Sequence, residues 1–113
     1  MFGWSIVRVV GDSMSPTLAD GDYVIARKMN GSVDNGTVVL IHHPALGPIV
    51  KRVVSRDRDG RYVVKGDNAQ STPSESLGAM DPESVQATVR WKVSPHGLHQ
   101  VEQRMSNPLD TTS

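Results

Sequence analysis

Apolar residues in this chain come in short runs rich in Val and Ile, and Gly, Asp, Asn or Pro closes off each run. Runs of roughly four to eight such residues between turn formers read as strands, because a helix needs a longer stretch to present a 3.6-residue stripe. Ser5–Val10, Tyr23–Lys28, Thr37–His42, Ile49–Arg56, Tyr62–Lys65 and Val85–Val93 qualify. Between them stand GDSMSPT, the pairs Asn30-Gly31 and Asn35-Gly36, the tripeptide Arg58-Asp59-Gly60, and a long polar segment from Asn68 to Ser84. Asp59-Gly60 between two Val-rich runs is a hairpin signal. No window carries a helical period, although Pro16-Thr17-Leu18-Ala19 has room for one turn. The pattern predicts an all-β fold, a compact and partly closed sheet, without internal repeats.

At 113 residues the chain has the length of one domain. Residues 1–100 are expected to form it, and the polar segment 101–113 to be a flexible tail. Twelve Lys and Arg balance twelve Asp and Glu, which leaves no electrostatic footprint for nucleic acid and no polybasic segment for an anionic membrane. Cysteine is absent, and with it disulfides, thiolate catalysis and Cys-ligated zinc. No apolar run approaches the roughly 18–20 residues that span a bilayer. The opening MFGWSIVRVV is too short for a signal peptide and is interrupted by Arg8. A soluble, cytoplasmic protein is expected, with Phe2 or Trp4 available to touch a membrane surface or a partner.

A serine hydroxyl becomes a nucleophile only when a neighbouring base takes its proton. Ser13 stands alone with Met14 between two Gly-Asp pairs, in a loop between two predicted strands. A lysine can be that base when burial disfavours its charged form. Lys51 emerges from such a setting, among Ile49, Val50, Val53 and Val54. Strand alternation puts Lys51 on the face opposite Val50 and Arg52, so one of the two adjacent cations is expected to point inward and the other outward. Most lysines beside apolar strands merely extend their ammonium to water, and most loop serines do nothing.

Three stretches bear a resemblance to signal peptidase I and its relatives. GDSMSPTLADGDYVIARK (11–28) is similar to the nucleophile box, IVKRVVS (49–55) to the general-base box, and YVVKGDNAQSTPSES (62–76) to the Gly-Asp-Asn box, in the family's order. The resemblance implies Ser13 as nucleophile, Lys51 as general base, and the Ser13 backbone N–H as an oxyanion donor. Many relatives add a serine hydroxyl two positions before the nucleophile, where this chain has Gly11. Met14 would line the substrate groove or fill the core. Pro16 and Thr17 would fix the turn after the nucleophile, Gly21 and Asp22 would shape the next one, and Asp67 and Asn68 would act as turn and support residues. Thr72 falls where relatives carry a serine that bonds the catalytic lysine. Ser74, Glu75 and Ser76 replace the Asp, Ser and Arg expected next, so the acid–Arg pair of that loop is lost or rebuilt. Size and lack of an anchor resemble the short soluble type known as nickel-type superoxide dismutase maturation protease. That likeness implies a protein precursor or extended peptide as substrate and no cofactor for catalysis; any nickel would belong to the substrate.

Other readings stand beside this one. Self-cleaving regulators of the LexA and UmuD type share a Gly-x-Ser-Met nucleophile and a Val-Lys base strand, and cut themselves at Ala-Gly or Cys-Gly. Here no glycine follows an alanine and no cysteine exists, and a chain without a DNA-binding region ahead of the catalytic part is expected. A His-based hydrolase would use His42 or His43 with Asp67. A metal site from His42, His43, His96 and His99 lacks a suitably spaced carboxylate. A β-domain that binds an extended peptide without cutting it is the non-enzymatic alternative.

Overall fold

The computed structural model describes residues 3–70 and 77–103. Its elements are β1 (Trp4–Arg8), β2 (Tyr23–Lys28), β3 (Val38–His43), β4 (Gly47–Arg56), β5 (Tyr62–Lys65), β6 (Leu77–Met80), a single 3-10 turn (Pro82–Ser84), β7 (Val85–Ser94) and β8 (Gly97–Gln100). All pairings are antiparallel, in the order β1-β2-β7-β3-β4-β5-β6, and β8 adds to the far half of β7. The fold is nearly all β. β6 and β8 lie outside the strands predicted from sequence. Leu77–Met80 carries a Gly and an Ala inside a polar stretch, and Gly97–Gln100 has one apolar residue. Four-residue strands of that composition have almost no periodicity to read.

The sheet curls so that β3 and β4 are covered on both faces. Val38 and Leu40 point into one core with Met14, Leu18, Val24, Ala26, Val50, Ala87 and Val89. Val39 and Ile41 point into a second core with Val53, Tyr62, Val64 and Val85. Two-sided burial explains the unbroken run VVLI, since alternation appears only where one face meets water. It also corrects the expected split between the adjacent cations: Lys51 and Arg52 are both buried, at 8% and 7% exposure. Lys51 shares its face with Ile49 and Val53, and Arg52 shares the opposite face with Val50, so both faces of β4 are packed at these positions.

The hairpin between β4 and β5 turns at Asp57–Gly60. Asp57 Oδ1 accepts the N–H groups of Asp59 and Arg61 (2.9 Å each), and Gly60 takes φ 82. The segment after β8 does not leave the body at once. Val101 is buried in the first core, and its N–H donates to Arg90 O at 3.0 Å. Gln103 accepts from the Val38 N–H at 3.0 Å and donates to Val89 O and Val101 O. The polar composition of the tail thus hides a docked start, in which a single apolar residue and one amide fill backbone needs at the edges of β3 and β7. Among the described residues no helix is long and apolar enough to cross a membrane.

Candidate active site

The loop from Val9 to Asp22 closes on itself before it reaches any other element. Val9 N–H donates to Asp22 O (2.7 Å) and Gly21 N–H to Val9 O (2.8 Å), which extends the β1–β2 pairing to the neck of the loop. Gly21 sits there at φ 89, a conformation that suits glycine. Above the neck, Asp20 Oδ1 accepts the Gly11 N–H (2.7 Å), and the buried Asp22 accepts the Ala19 N–H (2.9 Å). Leu18 N–H donates to Met14 O at 2.9 Å, closing a five-residue turn that contains a cis Ser15–Pro16 bond. That turn puts Met14 and Leu18 on one side, and both are essentially unexposed in the first core. Their burial contributes about 3–6 kcal/mol towards holding the loop down. Ser13 is left half-buried at the surface, between exposed Asp12 and buried Met14.

The turn after β5 clamps this loop from the other side. Asn68 N–H donates to Ser13 O at 2.9 Å, and Asn68 Nδ2 donates to Asp12 O at 3.0 Å. The Ser13 N–H, in contrast, donates to no acceptor among the described residues. Gly66 makes the approach sterically possible. A Cβ at this position would stand 2.3 Å from Ser13 O and 3.0 Å from Ser13 C. Those are backbone atoms, so no rotamer change relieves the overlap. Gly66→Ala is therefore expected to push the Ser13 backbone away, break the Asn68 bond and cost about 1–3 kcal/mol. Thermal denaturation read against a crystal structure of the variant checks this; an unmoved Ser13 carbonyl would contradict it.

Asp67, between those two residues, binds in two directions. Thr17 Oγ1 donates to its Oδ2 (2.5 Å), while Arg52 grips both oxygens through Nε (2.9 Å) and Nη2 (2.8 Å). The same guanidinium donates through Nη1 to Gly36 O (2.8 Å) and Glu102 O (3.0 Å). Burial pushes the Asp67 pKa up. The bonds from Arg52 and Thr17, with the Arg52 charge, outweigh that and hold it below the ordinary carboxylate value. An acid–Arg pair is thus present, built from Asp67 and the residue next to Lys51. Thr72, Ser74, Glu75 and Ser76 lie outside the described residues. Arg52 and Gly66 carry more of this framework than the sequence suggests. Only the Gly-Asp-Asn triplet and the Lys-Arg pair signalled them.

Ser13 and Lys51 line one cleft of ≈ 740 Å³, together with Met14, His43, Pro48 and Ile49. β5 pairs with β4 only from Arg52 onward, at Arg52↔Lys65, while β3 pairs with β4 from Gly47 to Arg52. The edge of Gly47–Val50 that faces away from β3 therefore has no strand partner among the described elements, and the cleft runs beside it. Gly11 also borders the cleft; it has φ 87, with nothing within 4 Å of a Cβ built on it.

The histidines are placed differently. His42 is exposed at the end of β3, and His96 and His99 are exposed around β8. No three His, Cys, Asp or Glu side chains converge among the described residues. His43 does reach the cleft, but its Nδ1 accepts the N–H groups of Ala45 (3.0 Å) and Leu46 (3.1 Å). A histidine in a hydrolytic triad must donate from one ring nitrogen to a carboxylate and accept on the other. Asp67 is occupied by Arg52 and Thr17, and among the described residues His43 meets no carboxylate.

No curated protein matches the chain. The family model described as Peptidase S24-like matches residues 4–89, from the first strand into the middle of β7. That span holds the Ser13 loop, the Lys51 strand and the Gly66–Asn68 clamp. The chain belongs to the Peptidase S24-like family.

Proposed function

We propose that this chain is a serine endopeptidase working through a Ser13–Lys51 dyad, and that it removes an N-terminal segment from a protein precursor. The single observation behind the reading is that Ser13 and Lys51 share one cleft although 38 positions separate them in sequence (51 − 13). Neutral Lys51 takes the Ser13 hydroxyl proton as the oxygen attacks the scissile carbonyl, and returns it to the leaving amine. Lys51 is buried in β4, the kind of setting in which a lysine can act as a general base. The Ser13 N–H serves the developing oxyanion. Gly11 leaves the second donor position without a hydroxyl, and its positive φ makes a serine there strained. The Gly47–Val50 edge, which has no strand partner among the described elements on the side away from β3, accepts the substrate as an added strand that leads its scissile bond to Ser13. By the family resemblance Thr72 is proposed to orient Lys51, and residues 1–100 are proposed to form the catalytic domain.

The family match is equally consistent with a self-cleaving domain of the LexA or UmuD type. The two readings part on one measurement. The protein is incubated at mildly alkaline pH, alone and with a diverse peptide pool and a nickel-type superoxide dismutase precursor, followed by mass spectrometry. Cleavage of added peptides or precursor, rising towards alkaline pH, is the expected result. Cleavage only of the chain itself would replace the reading with self-processing. Binding of peptides without any cut would leave a non-catalytic β-domain.

A further inference from the structure

We infer that His43 is a specificity-determining residue of the cleft, which donates from Nε2 to an acceptor oxygen on a substrate side chain. The inference rests on the peptidase reading and deepens it. Both Ala45 and Leu46 point backbone N–H groups at His43 Nδ1, so that nitrogen is the acceptor and a neutral ring carries its proton on Nε2. With Nδ1 turned to its own turn, the Nε2 edge is left for the cleft that His43 lines. The described residues supply no acceptor for it. The lining residues nearest to His43 in the β3–β4 hairpin, Leu46, Pro48 and Ile49, offer no side-chain donor; the other side-chain donors of the lining are Arg8, Ser13 and Lys51. A polar donor held beside apolar side chains is how a binding site selects one side chain from its isosteres.

Its position relative to the cut follows from strand geometry. His43 pairs with Gly47, and Gly47 is four residues from Lys51 along β4. At ~3.3 Å per residue that is about 13 Å. An extended peptide laid against Gly47–Lys51 has the same rise, so the residue read by His43 lies about four places from the scissile bond. The class of side chain selected is Asn, Gln, Asp or Glu, each with a carbonyl or carboxylate oxygen.

Two substitutions separate this contact from support of the turn. His43→Asn places an amide oxygen where Nδ1 stands, keeping an acceptor for the Ala45 and Leu46 N–H groups, but ends short of Nε2. His43→Gln reaches the Nε2 position with a donor and gives up the acceptor near the turn. In the wild type, kcat/KM for peptides with Gln about four places from the cut is expected to exceed that for Leu by about tenfold, the worth of one good hydrogen bond. His43→Asn should bring the ratio near unity, and His43→Gln should keep most of it. A ratio that stays at tenfold in His43→Asn, or is near unity in the wild type, overturns the inference while the peptidase reading stands. If the wild type cuts no peptide, long-range ¹H–¹⁵N spectra of Ser13→Ala with added peptides decide. The Nε2 signal of His43 is expected to shift with Gln peptides and not with Leu peptides. Equal shifts, or a proton found on Nδ1, would overturn it.

Discussion

Ser13→Ala and Lys51→Met are each expected to lower kcat/KM by at least about ten-thousandfold, with the fold intact, because in the proposed dyad the two groups act as a unit and either loss removes the whole nucleophile. The double variant should be scarcely worse than either single one. Additive losses would mean that the two side chains act independently, and the dyad would be wrong. Folding is a fair control for both changes. Methionine fills the space of the buried lysine stem without a buried charge, and Ser13 is only half-buried. A shift in Tm beyond about 5 °C, which corresponds to roughly 1 kcal/mol in a domain of this size, would point to damage to the fold rather than to the chemistry. A Lys51→Met protein that still cleaves would return the search to other bases, His43 first.

The largest loss of stability is expected from Asp67→Ala. The carboxylate is the meeting point of Thr17 and the Arg52 fork, and its removal takes a close counter-ion from a guanidinium that is 8% exposed. Breaking a buried pair from one side costs about 3–5 kcal/mol, a large part of the stability of a domain this small. Urea denaturation measures it, and a loss below about 1 kcal/mol would show that the pair is solvated in practice. The same group sets an acid limit. Its folded pKa is depressed below the usual carboxylate value, so its contribution is complete above about pH 4 and disappears as pH falls through the folded pKa. In Asp67→Asn that part of the acid sensitivity should be absent. Asp57 is lowered too, chiefly by the Arg61 N–H. It is half-buried in a surface turn beside the partly exposed Arg61, so Asp57→Asn should leave the acid transition nearly unchanged.

Much of this was legible from residue order. Tyr23–Lys28 and Tyr62–Lys65 carry Val-rich patterns between clear turn formers, and both strands fall within the predicted limits. β6 was not legible, because its pairing with β5 is specified by register and not by composition. Lys51 was singled out by its apolar neighbours, and it is buried. Arg52 was not, because a strand pattern assumes one wet face, and β4 has none. Met14 allowed two readings, and the structure removes the choice: it is in the core and also borders the cleft. The half-free edge of β4 is a property of where β5 stops. No local sequence pattern reveals it.

The clamp on the Ser13 loop has a consequence for the protein's life before it is finished. Thr17 and Asp67 are 50 residues apart, and Asp12 and Asn68 are 56 apart. A nascent chain that has emerged only as far as β4 contains both Ser13 and Lys51 but not the turn that holds the loop against the sheet. It lacks β7 as well, which lies between β2 and β3 in the finished order. Such late, long-range closure slows folding. It also means that an incomplete or locally opened molecule has not brought the Ser13 loop against the sheet, so the proposed dyad would be assembled only in the complete fold.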